Sequence, residues 1–164
     1  MKKVIKEIYP YLIILIVVIF IKSLIIAPVQ VNGDSMDNTL KDGDIMLLNK
    51  IGYKLNGVER FDIVVINYEN NYLIKRVIGL PGDNIKFIDN KLYINDKYVE
   101  EAYLNKETKT SDFEIERVPN NHYFVMGDNR EVSLDSRVLG TFSDKEIEGI
   151  SELTIFPFSR FGFK

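Results

Sequence analysis

Two short stretches of the chain hold residue types that can do covalent chemistry together. Ser35 sits in Gly33-Asp34-Ser35-Met36-Asp37-Asn38-Thr39-Leu40, and Lys75 in Ile74-Lys75-Arg76-Val77-Ile78-Gly79-Leu80-Pro81-Gly82-Asp83. A serine hydroxyl is a poor nucleophile until a base takes its proton during attack. Lysine can be that base only when neutral, and its free pKa is about 10.4. Burial among apolar groups lowers that value because desolvation penalises the ammonium. Reaching about 8 corresponds to roughly 3 kcal/mol. Tyr72, Leu73, Ile74, Val77 and Ile78 supply such surroundings for Lys75, and strand alternation aims it at the face opposite Ile74 and Arg76. A blander reading stands beside each residue. Edge strands use lysines to block aggregation, and Ser35 can cap a short helix over residues 36–40. The same turn at Gly33-Asp34-Ser35 exposes backbone N–H groups of the kind that line an oxyanion hole.

A third block, Gly127-Asp128-Asn129-Arg130-Glu131-Val132-Ser133-Leu134-Asp135-Ser136-Arg137, is dense in polar residues. It reads either as a solvated loop or as a scaffold in which Asp and Arg pairs brace a loop under the site. Ser133 could then hydrogen-bond the neutral lysine and orient it. The one histidine, His122, lies in a strand-like run and reads as a strand-edge residue.

These side chains need elements to hold them. Residues 8–27 are nearly all apolar, with Lys22 the one charge. Twenty helical residues rise about 30 Å, the thickness of a bilayer's hydrocarbon core. Pro10 opens this stretch and Pro28 stops it. Lys2, Lys3 and Lys6 precede it, so the positive-inside rule keeps the N-terminus cytoplasmic and the rest of the chain outside. A cleaved signal peptide fits less well, because no small-x-small site follows the run.

Beyond Pro28 the pattern turns to short β-rich runs at 45–48, 63–68, 72–78, 85–88, 92–94, 98–99, 122–126 and 150–156, bounded by glycine, asparagine or aspartate. Residues 85–94 read as a hairpin, and Asn95-Asp96 begins a second tight turn. Residues 100–116 are polar and read as an exposed excursion. The expectation is a mostly β protein: residues 1–28 form a cytoplasmic tip and transmembrane anchor, and residues 29–164 one antiparallel β-rich catalytic domain.

Composition narrows the chemistry. The chain has 164 residues and no cysteine, which excludes disulfides, thiolate catalysis and cysteine-ligated zinc. The net charge of −3 divides into +3 over residues 1–28 and −6 over the remainder. An acidic body argues against nucleic acid as a partner.

Together the blocks resemble the bacterial type I signal peptidase family, over nearly the whole chain. Ser35-Met36-x-x-Thr39-Leu40 looks like the family's nucleophile box, and Gly43-Asp44-Ile45 through Asn49-Lys50 like the next. Lys75 to Asp83 matches the lysine box, Gly127 to Arg137 the last box, and Pro157-Phe158-Ser159-Arg160-Phe161-Gly162 the usual ending. The resemblance implies a Ser35 nucleophile and a Lys75 general base. Ser133 would hold Lys75, with Asp128, Arg130, Asp135 and Arg137 as supports. Met36 and Gly33 would border the substrate, and the Ser35 N–H would be one oxyanion donor. It implies no cofactor and no metal. Substrates would be secretory preproteins with small residues at −1 and −3, cut at the outer face of the cell membrane against its lipid. The chain departs from the family pattern twice. Gly33 stands where some members carry a hydroxyl as second oxyanion donor, and Asn38 where proline is usual.

Two other readings compete. A self-cleaving SOS-type repressor also uses serine and lysine, but needs a DNA-binding region and a cytoplasmic location. A membrane-tethered β module that binds precursor or pilus proteins needs no chemistry, yet Ser35 and Lys75 are both intact.

Overall fold

The structure, a computed structural model, describes residues 2–164, with side chains throughout except at 2–7, 21–24 and 152. The side chains of Lys2, Lys3 and Lys6, on which the expected orientation rests, and that of Lys22 therefore lie outside the described residues. The chain runs through one long helix, α1 (Lys2–Ile25), into the strands β1 (Ile26–Gln30), β2 (Ile45–Asn49), β3 (Ile63–Tyr68) and β4 (Asn71–Gly79). There follow β5 (Ile85–Ile88), β6 (Lys91–Ile94), β7 (Lys97–Val99), β8 (Phe113–Ile115) and β9 (His122–Met126). The last are β10 (Phe142–Ser143), β11 (Ile147–Phe156) and β12 (Gly162–Phe163).

A large sheet takes the order β1-β2-β11-β3-β4-β9-β10, with β12 added along β11, and a small sheet the order β7-β6-β5-β8. Every pairing in the large sheet is antiparallel, as is every pairing in the small one. Tight turns at Glu69-Asn70, Asp89-Asn90 and Asn95-Asp96 all have positive φ, which asparagine and aspartate tolerate best and which suits two-residue hairpins. One apolar cluster joins Val31, Met36 and Leu40 to Met46, Ile63 and Ile74, directly behind the serine segment. A second, around Ile78, Ile85, Phe87 and Phe124, fastens the small sheet to β4 and β9.

Three expectations need correction. The helix ends at Ile25 rather than Ala27, and Pro28 lies inside β1, pairing with Leu47. Strand β1 is the sheet's edge, where a residue without an N–H donor is tolerated. Residues 36–40 form turns, not a helix. The segment 100–116 is not simply exposed: Thr110 is buried, Tyr103 packs against the second cluster, and β8 pairs with β5. Side chains at residues 8–20 are all exposed, so nothing in the β domain covers that part of α1. Among the described residues no helix is long and apolar enough to cross a membrane.

Candidate active site

Ser35 lies on the segment joining β1 to β2. Its position is set by its neighbours: Met36 and Leu40 are 1% and 0% exposed and plug the first core cluster. Backbone bonds from Asp37 N to the Asp34 carbonyl and from Leu40 N to the Met36 carbonyl fold the segment back on itself. Gly33 has φ +86°, a conformation open to glycine at little cost, and its N–H donates to Asp42 Oδ1 at 2.7 Å. Among the described residues no hydrogen bond takes up the Ser35 N–H.

Lys75 lies on β4, between β3 and β9, and is 3% exposed. An aggregation-blocking edge lysine would sit in water, so that reading fails. Lys75 Nζ donates to Ser35 Oγ at 2.7 Å. Burial pushes the Lys75 pKa down to about 8, against the opposing pull of Asp135 and Asp128. A proton can therefore pass between hydroxyl and amine without rearrangement, at a pH where a useful share of the lysine is neutral.

The third block folds beneath the pair. Asn129 N donates to the Ser35 carbonyl at 3.0 Å, and Gly127 N to Asp135 Oδ2 at 3.0 Å. A Cβ at Gly127 would fall on Ser133 Oγ and on the Ser35 carbonyl, so only glycine allows this approach. Asp128 accepts from Arg76 Nε at 2.9 Å and Nη2 at 2.7 Å, and from the Thr39 hydroxyl at 2.5 Å. Arg137 donates to Asp135 at 2.8 and 2.9 Å and to the Arg130 carbonyl at 2.8 Å. Burial alone would raise the Asp135 carboxyl, but bonds from Arg137 and the Gly127 N–H outweigh it and hold the pKa below its usual value.

Ser133 Oγ is enclosed beside Asp135 but is not aligned for a full hydrogen bond, and among the described residues none joins it to Lys75. Met36 belongs to the first core cluster and also lines the cleft. Among the described residues no group of histidine and carboxylate side chains is placed to hold a metal ion.

The cleft opens on both sides of Ser35 and Lys75. One lobe, of about 600 Å³, runs between residues 28–32 and residues 70–75. The other, of about 490 Å³, is bordered by Gly33, Asp34, Asn129, Val132 and Leu134. Several further residues hold this site without a strong mark in the sequence. Arg76 is one of six consecutive buried positions, 74–79, and a charge within the apolar run 72–78 is the signal in the sequence that could have marked it. Arg160, which binds the buried Asp44 at 3.0 Å and the Thr39 carbonyl at 3.1 Å, ties the C-terminal end to the serine segment. Glu101, Tyr103 and Thr110 carried no local signal at all.

Comparison with known proteins agrees with this architecture. The β domain is similar to a crystallised signal peptidase I from Enterococcus faecalis V583, with a TM-score of 0.52 and 35% identity over 57% of this chain and 95% of that one. Signal peptidase I of Bacillus amyloliquefaciens is 42% identical over 90% of this chain and 85% of its own length. Signal peptidase IB of Staphylococcus aureus strain COL is 38% identical over 98% and 93%. The family model described as signal peptidase, peptidase S26, matches residues 2–156. The chain belongs to that family.

Proposed function

We propose that this chain is a membrane-bound serine endopeptidase that removes N-terminal signal peptides from exported preproteins, with Ser35 as nucleophile and Lys75 as general base. The observation that carries the reading is the 2.7 Å bond between Ser35 Oγ and a lysine amine that burial has made a weak base. Lys75 takes the hydroxyl proton as Oγ bonds to the scissile carbonyl carbon. The oxyanion that forms is met by the Ser35 N–H. The Lys75 ammonium then gives its proton to the leaving nitrogen as the C–N bond breaks, leaving an ester on Ser35. Lys75 next takes a proton from water, whose oxygen attacks the ester, and returns a proton to Ser35 Oγ as the acid departs. Asp128, Arg130, Asp135 and Arg137 brace the loop beneath, and Ser133 borders it.

The 600 Å³ lobe supports an extended substrate. Strand β1 is open on its outer side, and β4 is bonded to β9 only from Arg76 onward, so its first residues are open too. A peptide laid between these edges would gain main-chain hydrogen bonds and present alternate side chains to the walls. Shallow pockets bordered by Met36 would reject bulky groups at −1 and −3 by clash. The apolar run at 8–27, with its exposed side chains at 8–20, supports an anchor in the cell membrane, N-terminus cytoplasmic and β domain outside.

The test is cleavage of a model precursor with an Ala-x-Ala site in detergent, by the native chain, Ser35→Ala and Lys75→Ala. Both variants should fold and lose at least about 10³-fold in kcat. The native rate should climb through about pH 8 as Lys75 becomes neutral and then level off. Activity in folded Lys75→Ala, or an acid optimum, would refute a lysine base.

A further inference from the structure

Between β7 and β8 the chain sends out an arm, residues 101–110, that reaches the site at three points. Arg130, buried at 2% exposure, donates from Nη2 to Glu101 Oε1 at 2.5 Å and to the Tyr103 hydroxyl at 3.3 Å, and from Nη1 to the Thr110 hydroxyl at 2.9 Å. Its Nε donates to the Gly127 carbonyl at 3.0 Å. The Tyr103 ring lies under the Arg76 guanidinium, 4.1 Å from the centroid, and against Phe61 at 5.3 Å. Asn105 Nδ2 donates to Asn38 Oδ1 at 2.7 Å. One arm therefore grips the neighbour of Lys75, the loop under Ser35, and the serine segment itself.

We propose that residues 101–110 are a positioning arm that sets the Ser35–Lys75 geometry, with Tyr103 its central residue. The proposal rests on the serine–lysine reading above. Each grip ends within a few residues of the pair. Arg76 adjoins Lys75, Arg130 holds the Gly127 carbonyl of the loop that donates to the Ser35 carbonyl, and Asn38 lies three residues after Ser35. A shift of about 1 Å in such a pair costs up to about 10²-fold in rate. Burial works against the Arg130 charge, but the hydrogen bond and charge of Glu101 more than offset it and raise its pKa. Asn38 has φ +90°, which proline cannot adopt. The Asn105 bond ties this left-handed residue to the arm.

The charges facing Lys75 are Asp128 and Asp135 beneath it, their partners Arg76 and Arg137, and Asp34 and Asp37 along the cleft. Asp128 is tied to the arm through Arg76, which stacks on Tyr103, whereas among the described residues no hydrogen bond or ion pair joins the arm to Lys75. Freeing the arm should thus withdraw an anion from Lys75 without uncovering it.

The experiment uses the full chain in detergent with the Ala-x-Ala precursor, comparing Tyr103→Leu, Tyr103→Phe, Asn105→Ala and Lys75→Ala, each checked for folding by thermal melt. Tyr103→Leu should lose about 10- to 100-fold in kcat with KM held within about two-fold. Its rising pH limb should move to lower pH. Tyr103→Phe, which keeps the ring under Arg76, should recover most of the loss. Asn105→Ala removes one exposed bond and should give a smaller loss of the same kind, so the proposal stays testable if Tyr103→Leu fails to fold. Native kcat and an unmoved limb in the folded arm variants would overturn the arm and leave the serine–lysine reading intact. Activity in Lys75→Ala would instead overturn that reading, and the arm with it.

Discussion

At the scale of single residues, Lys75 is the costly one. Its ammonium is buried, and its pKa falls from 10.5 to about 8. Below pH 8 both folded and unfolded chains hold this proton, and the penalty on folding is full. Between 8 and 10.5 the unfolded chain binds more protons than the folded one, so stability rises with pH. Above 10.5 the penalty is gone. Lys75→Met should therefore stabilise the fold at pH 7 by up to roughly 3 kcal/mol, read as a higher urea midpoint, while cleavage is lost. The gain should fade as the pH approaches 10.5, and a gain independent of pH would refute the buried-ammonium account. Ser35, Lys75 and the polar block at 127–137 were legible because their chemistry is carried by residue type and local spacing. Glu101 and Tyr103 were not, since nothing near them in the chain marks an arginine 29 or 27 residues away as their partner.

At the scale of elements, strands with clean alternation or strong turn chemistry could be read directly. Ile63–Tyr68 and His122–Met126 match the expectation residue for residue. Strand β1 was hidden because Ile26-Ala27 continues the apolar run of α1, and β8, β10 and β12 are only two or three residues long. Phe156, Phe158, Phe161 and Phe163 at the end of the chain are 49%, 83%, 63% and 78% exposed, too open for a core strand ending. Removing residues 158–164 as a test of these side chains would strip Arg160 from the buried Asp44, leaving an unpaired charge that costs several kcal/mol. The cleaner variant is Phe158→Ser with Phe161→Ser and Phe163→Ser. It should keep its melting temperature and lose part of its binding to phosphatidylcholine vesicles, as expected for aromatic side chains at a membrane interface. Unchanged vesicle binding would remove the tail from the membrane contact.

At the scale of the whole molecule, α1 and the large sheet are joined without slack. The helix ends at Ile25, β1 begins at Ile26, and the Ile25 carbonyl accepts from Lys50 N at 2.8 Å, so the exit of the helix is bonded to the far end of β2. Strand β1 then leads through five residues to the segment that carries Ser35. Under the proposed reading, with α1 as the anchor, Ser35 would ride at a set height above the lipid and the molecule would work as a ruler. It would find its bond by counting residues from the end of a substrate's apolar stretch, with only small side chains demanded at the cut. Inserting two Gly-Ser pairs between Ile25 and Ile26 should spread cleavage of a lipid-embedded precursor over neighbouring permissive sites, read by mass spectrometry of the products. A single unchanged product would mean that the pockets alone choose the bond.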